Sequence, residues 1–155
     1  MKVGVIMGST SDLEVMSAAF DVLDRFRIPY EKKVISAHRA PSLLAEYATS
    51  ARERGLDLII AGAGGAAHLP GVTASMTTIP VIGVPINGKA FGGMDALLSM
   101  VQMPSGVPVA TVSVNGAKNA ALLAVSILSL SNPSLAAALE NFRKQQADAI
   151  MRTVI

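Results

Sequence analysis

Short apolar runs alternate with amphipathic stretches along most of the chain. Five runs rich in β-branched residues predict strands at Val3–Met7, Tyr30–Ile35, Leu58–Ala61, Ile79–Val84 and Val107–Val112. The stretches between and after them predict helices from Asp12 to about Phe26, then Pro41–Arg54, Asp95–Val101 and Ala117–Leu128. After the break at Asn132-Pro133-Ser134, the pattern predicts a last helix over Leu135–Met151.

This order of elements predicts the fold class. Strands that are apolar nearly throughout and are separated by helices are typical of a parallel sheet covered on both faces. We therefore predict an α/β fold, a three-layer sandwich built on a flavodoxin-like doubly wound parallel sheet, with a C-terminal helix at about residues 134–152. A length of 155 residues is most simply one domain, 1–155.

The composition is unusually apolar for such a domain. Hydrophobic residues make up 51% and charged residues 15% of the chain, against roughly 25% charged in an average soluble domain. The sequence has no purely apolar stretch of about 18 residues, the length that a membrane helix needs, and the first strand is too short for the core of a signal peptide. We expect no membrane association, and a homo-oligomer that buries the extra apolar surface.

Charge and cysteine content narrow the function classes. The net charge is +2 and aromatic residues are 4% of the chain, so neither the basic clusters nor the stacking aromatics of nucleic-acid binders are present. Cysteine is absent, which excludes disulfides and thiolate metal sites and is compatible with the cytoplasm. With two histidines and no histidine–carboxylate cluster at helical spacing, we expect no metal site. The sequence also lacks a P-loop and a Gly-x-Ser-x-Gly elbow.

The segment Gly8-Ser-Thr-Ser-Asp-Leu-Glu14 joins the first predicted strand to the first helix. Ser11 and Glu14 have the spacing of a capping box, with Ser11 as the N-cap residue. The hydroxyls of Ser9 and Ser11, together with backbone N–H groups, could also receive a phosphate, since capping uses some of the donors and leaves others. Asp12 beside a phosphate site is suited to ribose hydroxyls.

The second segment, Ser36-Ala-His-Arg39, precedes Pro41. Histidine exchanges protons readily near neutral pH, and Arg39 is an unfavourable charge next to a helix N-terminus. An anionic phosphate between Arg39 and the helix ends would remove that conflict. The alternative is an arginine that is simply exposed and solvated.

The third segment, Gly62-Ala-Gly-Gly-Ala-Ala67, has no side chain larger than a methyl group and is followed by His68. It could let a planar ring lie against the backbone, with the His68 imidazole at the rim. The alternative is a tight crossover from strand to helix with a structural histidine, although a crossover normally needs one or two glycines. In an open parallel sheet all three segments would meet at the carboxyl ends of the strands.

Taken together, these segments closely resemble the bacterial PurE family, the N5-carboxyaminoimidazole ribonucleotide mutases of purine biosynthesis. The resemblance runs from the first strand to about Ile127, and Ser36-Ala-His-Arg39 with Ala66-Ala-His-Leu-Pro-Gly71 is its most specific part. Arg39 and the presence of His68 resemble the mutase class. The related carboxylase class, which uses free carbon dioxide, typically has lysine at the first of these positions and lacks the second motif.

The resemblance implies a substrate with a ribose phosphate and an aminoimidazole that carries an N-linked carboxylate. It implies that Ser9, Ser11 and Arg39 hold the phosphate and that Asp12 holds the ribose. The other implied substrate contacts are Ser36, Ala37, Gly64, Gly65, Ala66 and Leu69. His38 would be the acid–base catalyst, and His68 would position the carboxylate or carbon dioxide. No metal, ATP or organic cofactor is implied, and the family forms octamers.

Three positions depart from the family pattern. Ala40 replaces a common threonine, and Ala96 replaces a serine. Gly92 replaces an asparagine, and this change alone puts loop closure or carbon dioxide retention in question. Two rival functions remain to be compared. One is a carboxylase that acts on free aminoimidazole ribonucleotide. The other is a non-enzymatic flavodoxin-like module. A receiver domain would need acidic residues at the positions of Gly8-Ser9 and Gly62-Ala63. An FMN-binding module would need aromatic rings on both sides of the flavin.

Overall fold

The computed structural model describes residues 1–154 as one five-stranded parallel sheet covered by helices. The strands are β1 (Val3–Met7), β2 (Tyr30–Val34), β3 (Leu58–Gly64), β4 (Val81–Ile86) and β5 (Ala110–Thr111). The helices are α1 (Leu13–Arg25), α2 (Pro41–Thr49), α3 (Leu69–Ser75), α4 (Met94–Val101), α5 (Ala117–Ser129) and α6 (Pro133–Met151). The strand order β2-β1-β3-β4-β5 is that of doubly wound flavodoxin-like folds, so the predicted fold class is confirmed.

Side-chain alternation along the central strands divides the core into two layers. Leu58 and Ile60 of β3 belong to the core that packs against α1, α5 and α6. Ile59 and Ala61 of the same strand belong to the core beneath α2, α3 and α4. Because successive side chains of a strand point to opposite faces, one apolar run supplies both layers, and this explains why β1, β3 and β4 have nearly continuous apolar sequences.

Two helix boundaries differ from the prediction. The predicted helix Pro41–Arg54 ends at Thr49 and continues as turns to Gly55, which has a positive φ of 75°. The Thr49 hydroxyl donates to Ala45 O at 2.7 Å and the Ser50 hydroxyl to Glu46 O at 2.6 Å. Hydroxyls of this kind offer the helix carbonyls an alternative partner at a helix end.

The start of α1 is the second boundary to correct. A 3₁₀ turn, Thr10–Asp12, comes before α1, and its N-cap residue is Ser9. The capping box therefore pairs Ser9 with Asp12, and the predicted pair of Ser11 and Glu14 is wrong. Both pairs have the same spacing, but Glu14 is exposed whereas Asp12 is buried, where its carboxylate accepts the Ser9 N–H at 2.9 Å.

The strands after β2 also shift. β3 extends to Gly64, three residues beyond the prediction, and β4 begins after Pro80 and ends at Ile86 instead of Val84. β5 is two residues long, because Pro108 has no N–H to donate to a neighbouring strand. The later end of β4 places Ile86 and the residues that follow it at the same sheet edge as the Gly62–Ala67 segment.

The short helix α3 is absent from the prediction, because it contains Pro70 and Gly71, two residues of poor helix propensity. The remaining helices agree with the prediction to within a residue or two. α6 begins at Pro133, where the Asn132 side chain accepts the Leu135 N–H at 3.0 Å. None of the helices within residues 1–154 has the length and apolar character needed to cross a bilayer.

Candidate active site

A cavity of about 530 Å³ opens at the carboxyl ends of four neighbouring strands, β2, β1, β3 and β4. Its wall includes eleven of the twelve predicted site residues, His38 and all ten predicted substrate contacts: Ser9, Ser11, Asp12, Ser36, Ala37, Arg39, Gly64, Gly65, Ala66 and Leu69. His68, the twelfth, lies outside this wall but contacts His38. Ser9 and Leu69, 60 positions apart in sequence, thus line the same cavity, as expected at this edge of a doubly wound sheet.

The two imidazoles form a hydrogen-bonded pair. His38 Nε2 and His68 Nδ1 are 2.8 Å apart, and the ring planes are steeply inclined at 77°. His38 lies in the loop between β2 and α2, and His68 is the N-cap residue of α3. At this distance one of the two facing nitrogens carries a proton and the other accepts it. The pair therefore keeps His38 Nδ1 and His68 Nε2 available for other partners.

Arg39 is held across the ends of β1 and β2. Its Nη2 donates to Gly8 O at 3.1 Å, and its Nε and backbone N–H both donate to Ser36 Oγ at 3.2 Å. Its neighbour Ala40, the N-cap residue of α2, has no side-chain acceptor to give. The Ser36 hydroxyl thus orients the guanidinium, which supports the interpretation of Arg39 as a site residue over that of a freely solvated arginine.

Asp12 is the buried carboxylate of the site, 8% exposed. Burial raises the pKa of its carboxyl above the ordinary value, and the raised value persists although the backbone of Ser9, the Ser11 hydroxyl, the backbone of Gly8 and the Arg39 charge all act to lower it. The Ser9 and Ser11 hydroxyls lie beside it with their oxygens 3.0 Å apart. Hydroxyl donors, a guanidinium and a carboxylate therefore meet at the end of β1.

The wall from Ala63 to Ala66 presents backbone and methyl groups. A Cβ at Gly64 would stand 3.1 Å from Ile86 O, and Gly65 has a φ of 62°. Larger residues would be too close to the neighbouring strand at the first position and strained at the second. The segment is therefore a smooth surface against which a flat ring can lie.

Sequence reasoning missed part of the wall, namely Gly8, Ala63, Ile86, Asn87 and Gly88. None of the predicted site residues lies in the segment after β4. The available signal was the exposed, polar Asn87 directly after an entirely buried strand.

Comparison with known proteins places the chain in a family. The AIR carboxylase family model matches residues 2–149. The chain belongs to the AIR carboxylase family. Members that resemble it closely include the N5-carboxyaminoimidazole ribonucleotide mutase of Pyrococcus abyssi, 63% identical over 92% of this chain and 82% of that protein. The corresponding mutase of Bacillus subtilis is 59% identical over 97% of this chain and 94% of that protein.

A solved member of the family has the same fold. The crystal structure of Treponema denticola PurE superposes with a TM-score of 0.86 at 30% identity, and covers 97% of this chain and 94% of that one. The resemblance to the PurE family noted from the sequence motifs is thereby confirmed.

The structure also explains one departure from the family pattern. Gly92 has a φ of 59°. Among residues with a side chain, asparagine is one of those that best tolerate this left-handed region. The asparagine of the usual pattern and the glycine of this chain therefore both suit the backbone there.

Proposed function

We propose that the protein is an N5-carboxyaminoimidazole ribonucleotide mutase. It moves the carboxylate of its substrate from the exocyclic nitrogen to ring carbon C4 and gives 4-carboxy-5-aminoimidazole ribonucleotide for purine biosynthesis. The observation that carries this proposal is a single cavity that holds anion donors, a buried carboxylate, a smooth wall and the His38 imidazole, which is hydrogen-bonded to His68. Each of these features matches one part of the substrate.

The phosphate group binds at the end of β1 and β2. The Ser9 and Ser11 hydroxyls supply neutral donors, and the Arg39 guanidinium supplies a charge-assisted contact. Because Ser36 already orients Arg39 Nε, little rotational freedom is lost when the phosphate arrives. Asp12, beside the two serine hydroxyls, accepts hydrogen bonds from the ribose hydroxyls.

The aminoimidazole ring lies against Gly64, Gly65 and Ala66, with Leu69 and Ala37 as apolar neighbours. The order of the strands supports this orientation, because β3 lies between β1 and β4. With the phosphate at β1 and β2, the ring extends towards β3 and β4. This brings the exocyclic nitrogen and C4 to the side of the cavity where the His38 ring reaches His68, which follows β3.

The reaction needs two proton transfers. When the N–C bond of the carbamate breaks, the exocyclic nitrogen takes a proton and carbon dioxide is released into the cavity. C4 then attacks the carbon dioxide, and the proton on C4 must leave. A single histidine can donate the first proton and accept the second, and we assign both steps to His38.

The hydrogen bond to His68 suits this cycle. The charged pair has one proton between the rings and one on each outer nitrogen, so that it carries a single positive charge. After His38 donates a proton, the neutral pair has a free lone pair on one outer nitrogen and can accept a proton again. We propose that His68 fixes the His38 ring in this way and directs its own Nε2 to the migrating carboxylate. The route uses protons alone, and the expectation that no metal, ATP or organic cofactor takes part is included in the proposal.

A carboxylase acting on free aminoimidazole ribonucleotide is the second candidate, because the matching family model bears the name AIR carboxylase. The mutase is favoured by the names of relatives that are 59–63% identical, and by Arg39 and His68. Turnover with N5-carboxyaminoimidazole ribonucleotide, in the absence of ATP and bicarbonate, supports the mutase. Turnover only with aminoimidazole ribonucleotide and bicarbonate would establish the carboxylase instead.

The oligomeric state, the domain extent and the location complete the proposal. Phe91, Met94, Leu98 and Val101 are 70, 54, 50 and 49% exposed, and the last three follow one face of α4 at helical spacing. An apolar stripe of this kind supports a homo-oligomer, and the family resemblance suggests an octamer. We propose one catalytic domain over residues 1–155 in the cytoplasm, with a small ribonucleotide and no nucleic acid or membrane as partner. Light scattering on the purified protein measures the subunit number.

A further inference from the structure

Asn115, in the loop between β5 and α5, has a left-handed backbone with a φ of 57°. It is exposed and belongs neither to the cavity wall nor to the predicted site residues. A non-glycine residue with positive φ is uncommon and persists where its surroundings hold it. The contacts of Asn115 therefore indicate what the loop is built to do.

Two hydrogen bonds connect Asn115 to the carboxyl end of β4. Its backbone N–H donates to Pro85 O at 2.8 Å, and its side-chain Oδ1 accepts the backbone N–H of Asn87 at 2.9 Å. Pro85 is the next-to-last residue of β4, and Asn87 and Gly88 line the cavity. β5 pairs with β4 only at Ile82 and Gly83. At Asn87, beyond the end of this pairing, the Asn115 side chain supplies the acceptor that a neighbouring strand would otherwise provide.

The next residue back along the loop supports the other end of the same segment. A Cβ at Gly93 would stand 2.5 Å from Val114 Cγ1 and 3.3 Å from Asn87 Cα, and Gly93 has a φ of 84°. Gly93 is buried at the start of α4. Residues 87–93 are therefore held at both ends by residues 114–115.

We propose that Asn115 is a positioning residue that holds the Asn87–Gly88 wall against the ring end of the site. This inference rests on the proposed mutase function, in which carbon dioxide must remain beside C4 until it is recaptured. Asn115 does not touch the substrate. Its effect passes through the Asn87 N–H, which fixes the wall on the β4 side, opposite the phosphate end.

The hydrogen bond between Asn87 and Asn115 could merely stabilise the loop or could hold the cavity wall in place, and the two roles predict different effects of its loss. Loss of a purely stabilising bond lowers the melting temperature and leaves the fate of bound substrate unchanged. Loss of the wall lets carbon dioxide escape, so that part of the substrate ends as aminoimidazole ribonucleotide. The fraction of converted substrate lost in this way is independent of the amount of folded enzyme.

The experiment compares Asn115→Gly with Asn115→Asp. Glycine keeps the left-handed backbone and the N–H to Pro85 but removes the acceptor for Asn87, whereas aspartate keeps both the backbone preference and the acceptor. Each enzyme converts N5-carboxyaminoimidazole ribonucleotide without ATP, and both products are quantified after subtraction of the spontaneous loss measured without enzyme. Melting temperatures are recorded alongside.

We expect the lost fraction to rise at least about threefold in Asn115→Gly and kcat to fall about tenfold, in line with the sensitivity of reactions to small misplacements. We expect Asn115→Asp to stay within about twofold of the unmodified enzyme, as hydrogen-bond replacement predicts. An unchanged lost fraction in folded Asn115→Gly would overturn the proposal. Asn115→Ala also lacks the acceptor for Asn87. If neither Asn115→Gly nor Asn115→Ala folds, the proposal is overturned as well, because the Asn115 hydrogen bond would then be required for folding itself. If the unmodified enzyme does not convert the substrate, it is the proposed function that fails.

Discussion

His38 Nε2 and His68 Nδ1 lie 2.8 Å apart, so that two motifs separated by a helix and a strand form one imidazole pair, of which His38 lines the cavity. Because the facing nitrogens share one proton, this geometry allows the pair one positive charge at most. The acid and base forms of the pair differ by one proton on an outer nitrogen. A reaction that first needs a proton donor and then an acceptor is suited to such a pair.

Replacement of His38 by asparagine tests the proton carrier. Asparagine retains polar groups but cannot exchange protons near neutral pH, so we expect kcat to fall at least about a hundredfold. Binding of the ribonucleotide, measured by calorimetry, should remain within a few-fold, because the phosphate and ribose contacts are elsewhere. Near-normal turnover in His38→Asn would remove His38 from this role.

Replacement of His68 by asparagine tests the division of labour within the pair. The His38 ring would lose the partner that orients it, while keeping its own ability to exchange protons. We expect kcat to fall about tenfold, less than in His38→Asn, as is common for a group that orients a catalytic base. A larger loss in His68→Asn than in His38→Asn, from steady-state kinetics on both, would exchange the two assignments.

Replacement of Arg39 by alanine tests the phosphate contact. Loss of a charge-assisted hydrogen bond should weaken binding about tenfold, seen as a higher KM with a smaller change in kcat. Arg39→Lys is the matched control, because it keeps the charge but cannot reproduce the two-point contact with Ser36 Oγ and Gly8 O. We expect the affinity of Arg39→Lys for the substrate to lie between that of Arg39→Ala and that of the unmodified enzyme. Unaltered affinity in Arg39→Ala would place the phosphate elsewhere.

Replacement of Asp12 by asparagine separates stability from function. Burial raises the pKa of the Asp12 carboxyl, so the folded state binds its proton more tightly than the unfolded chain does. The contribution of this group to stability is therefore greatest below its unfolded pKa and declines as the pH rises through the raised folded value. At pH 7 the ionised carboxylate is a net cost that asparagine removes, while asparagine can still accept the Ser9 N–H.

For Asp12→Asn we therefore expect a urea midpoint at pH 7 equal to or above that of the unmodified protein, and a smaller advantage at acidic pH. Substrate affinity should fall, because the ribose loses its charged acceptor. A variant that is less stable at pH 7 and regains parity at acidic pH would contradict this account of the carboxylate.

The contribution of Glu31 to stability depends on pH in the opposite direction to that of Asp12. Its burial alone would raise the carboxyl pKa, but the Lys2 ammonium at 2.7 Å and the nearby Arg54 guanidinium at 3.3 Å help to bring about a lowered value. The stabilisation is then present above the unfolded pKa and is lost as the pH falls through the folded one. We expect Glu31→Gln to lower the urea midpoint at pH 7, with the difference disappearing towards acidic pH. A difference that does not depend on pH would show that the ion pairs are not its cause.

The sequence was sufficient to predict the layers of the fold and most of the residues that line the cavity, because both follow from periodicity and from the position of strand ends. The capping box was misassigned because Ser9/Asp12 and Ser11/Glu14 have equal spacing, and burial of Asp12 decides between them. The helix α3 could not be predicted, because tertiary packing overrides the poor helix propensities of Pro70 and Gly71. The contact between the two histidines, and that between Asn87 and Asn115, join residues about 30 positions apart, and such distances are not set by any local pattern.

The most direct test of the proposed reaction is to follow the carboxylate itself. N5-carboxyaminoimidazole ribonucleotide labelled with ¹³C in its carboxylate is incubated with the protein, without ATP and in the presence of unlabelled bicarbonate, and the product is analysed by ¹³C NMR. We predict that most of the label appears in the carboxylate at C4, because carbon dioxide is recaptured before it leaves the site. Product that carries unlabelled carbon, or labelled bicarbonate without product, would contradict the account.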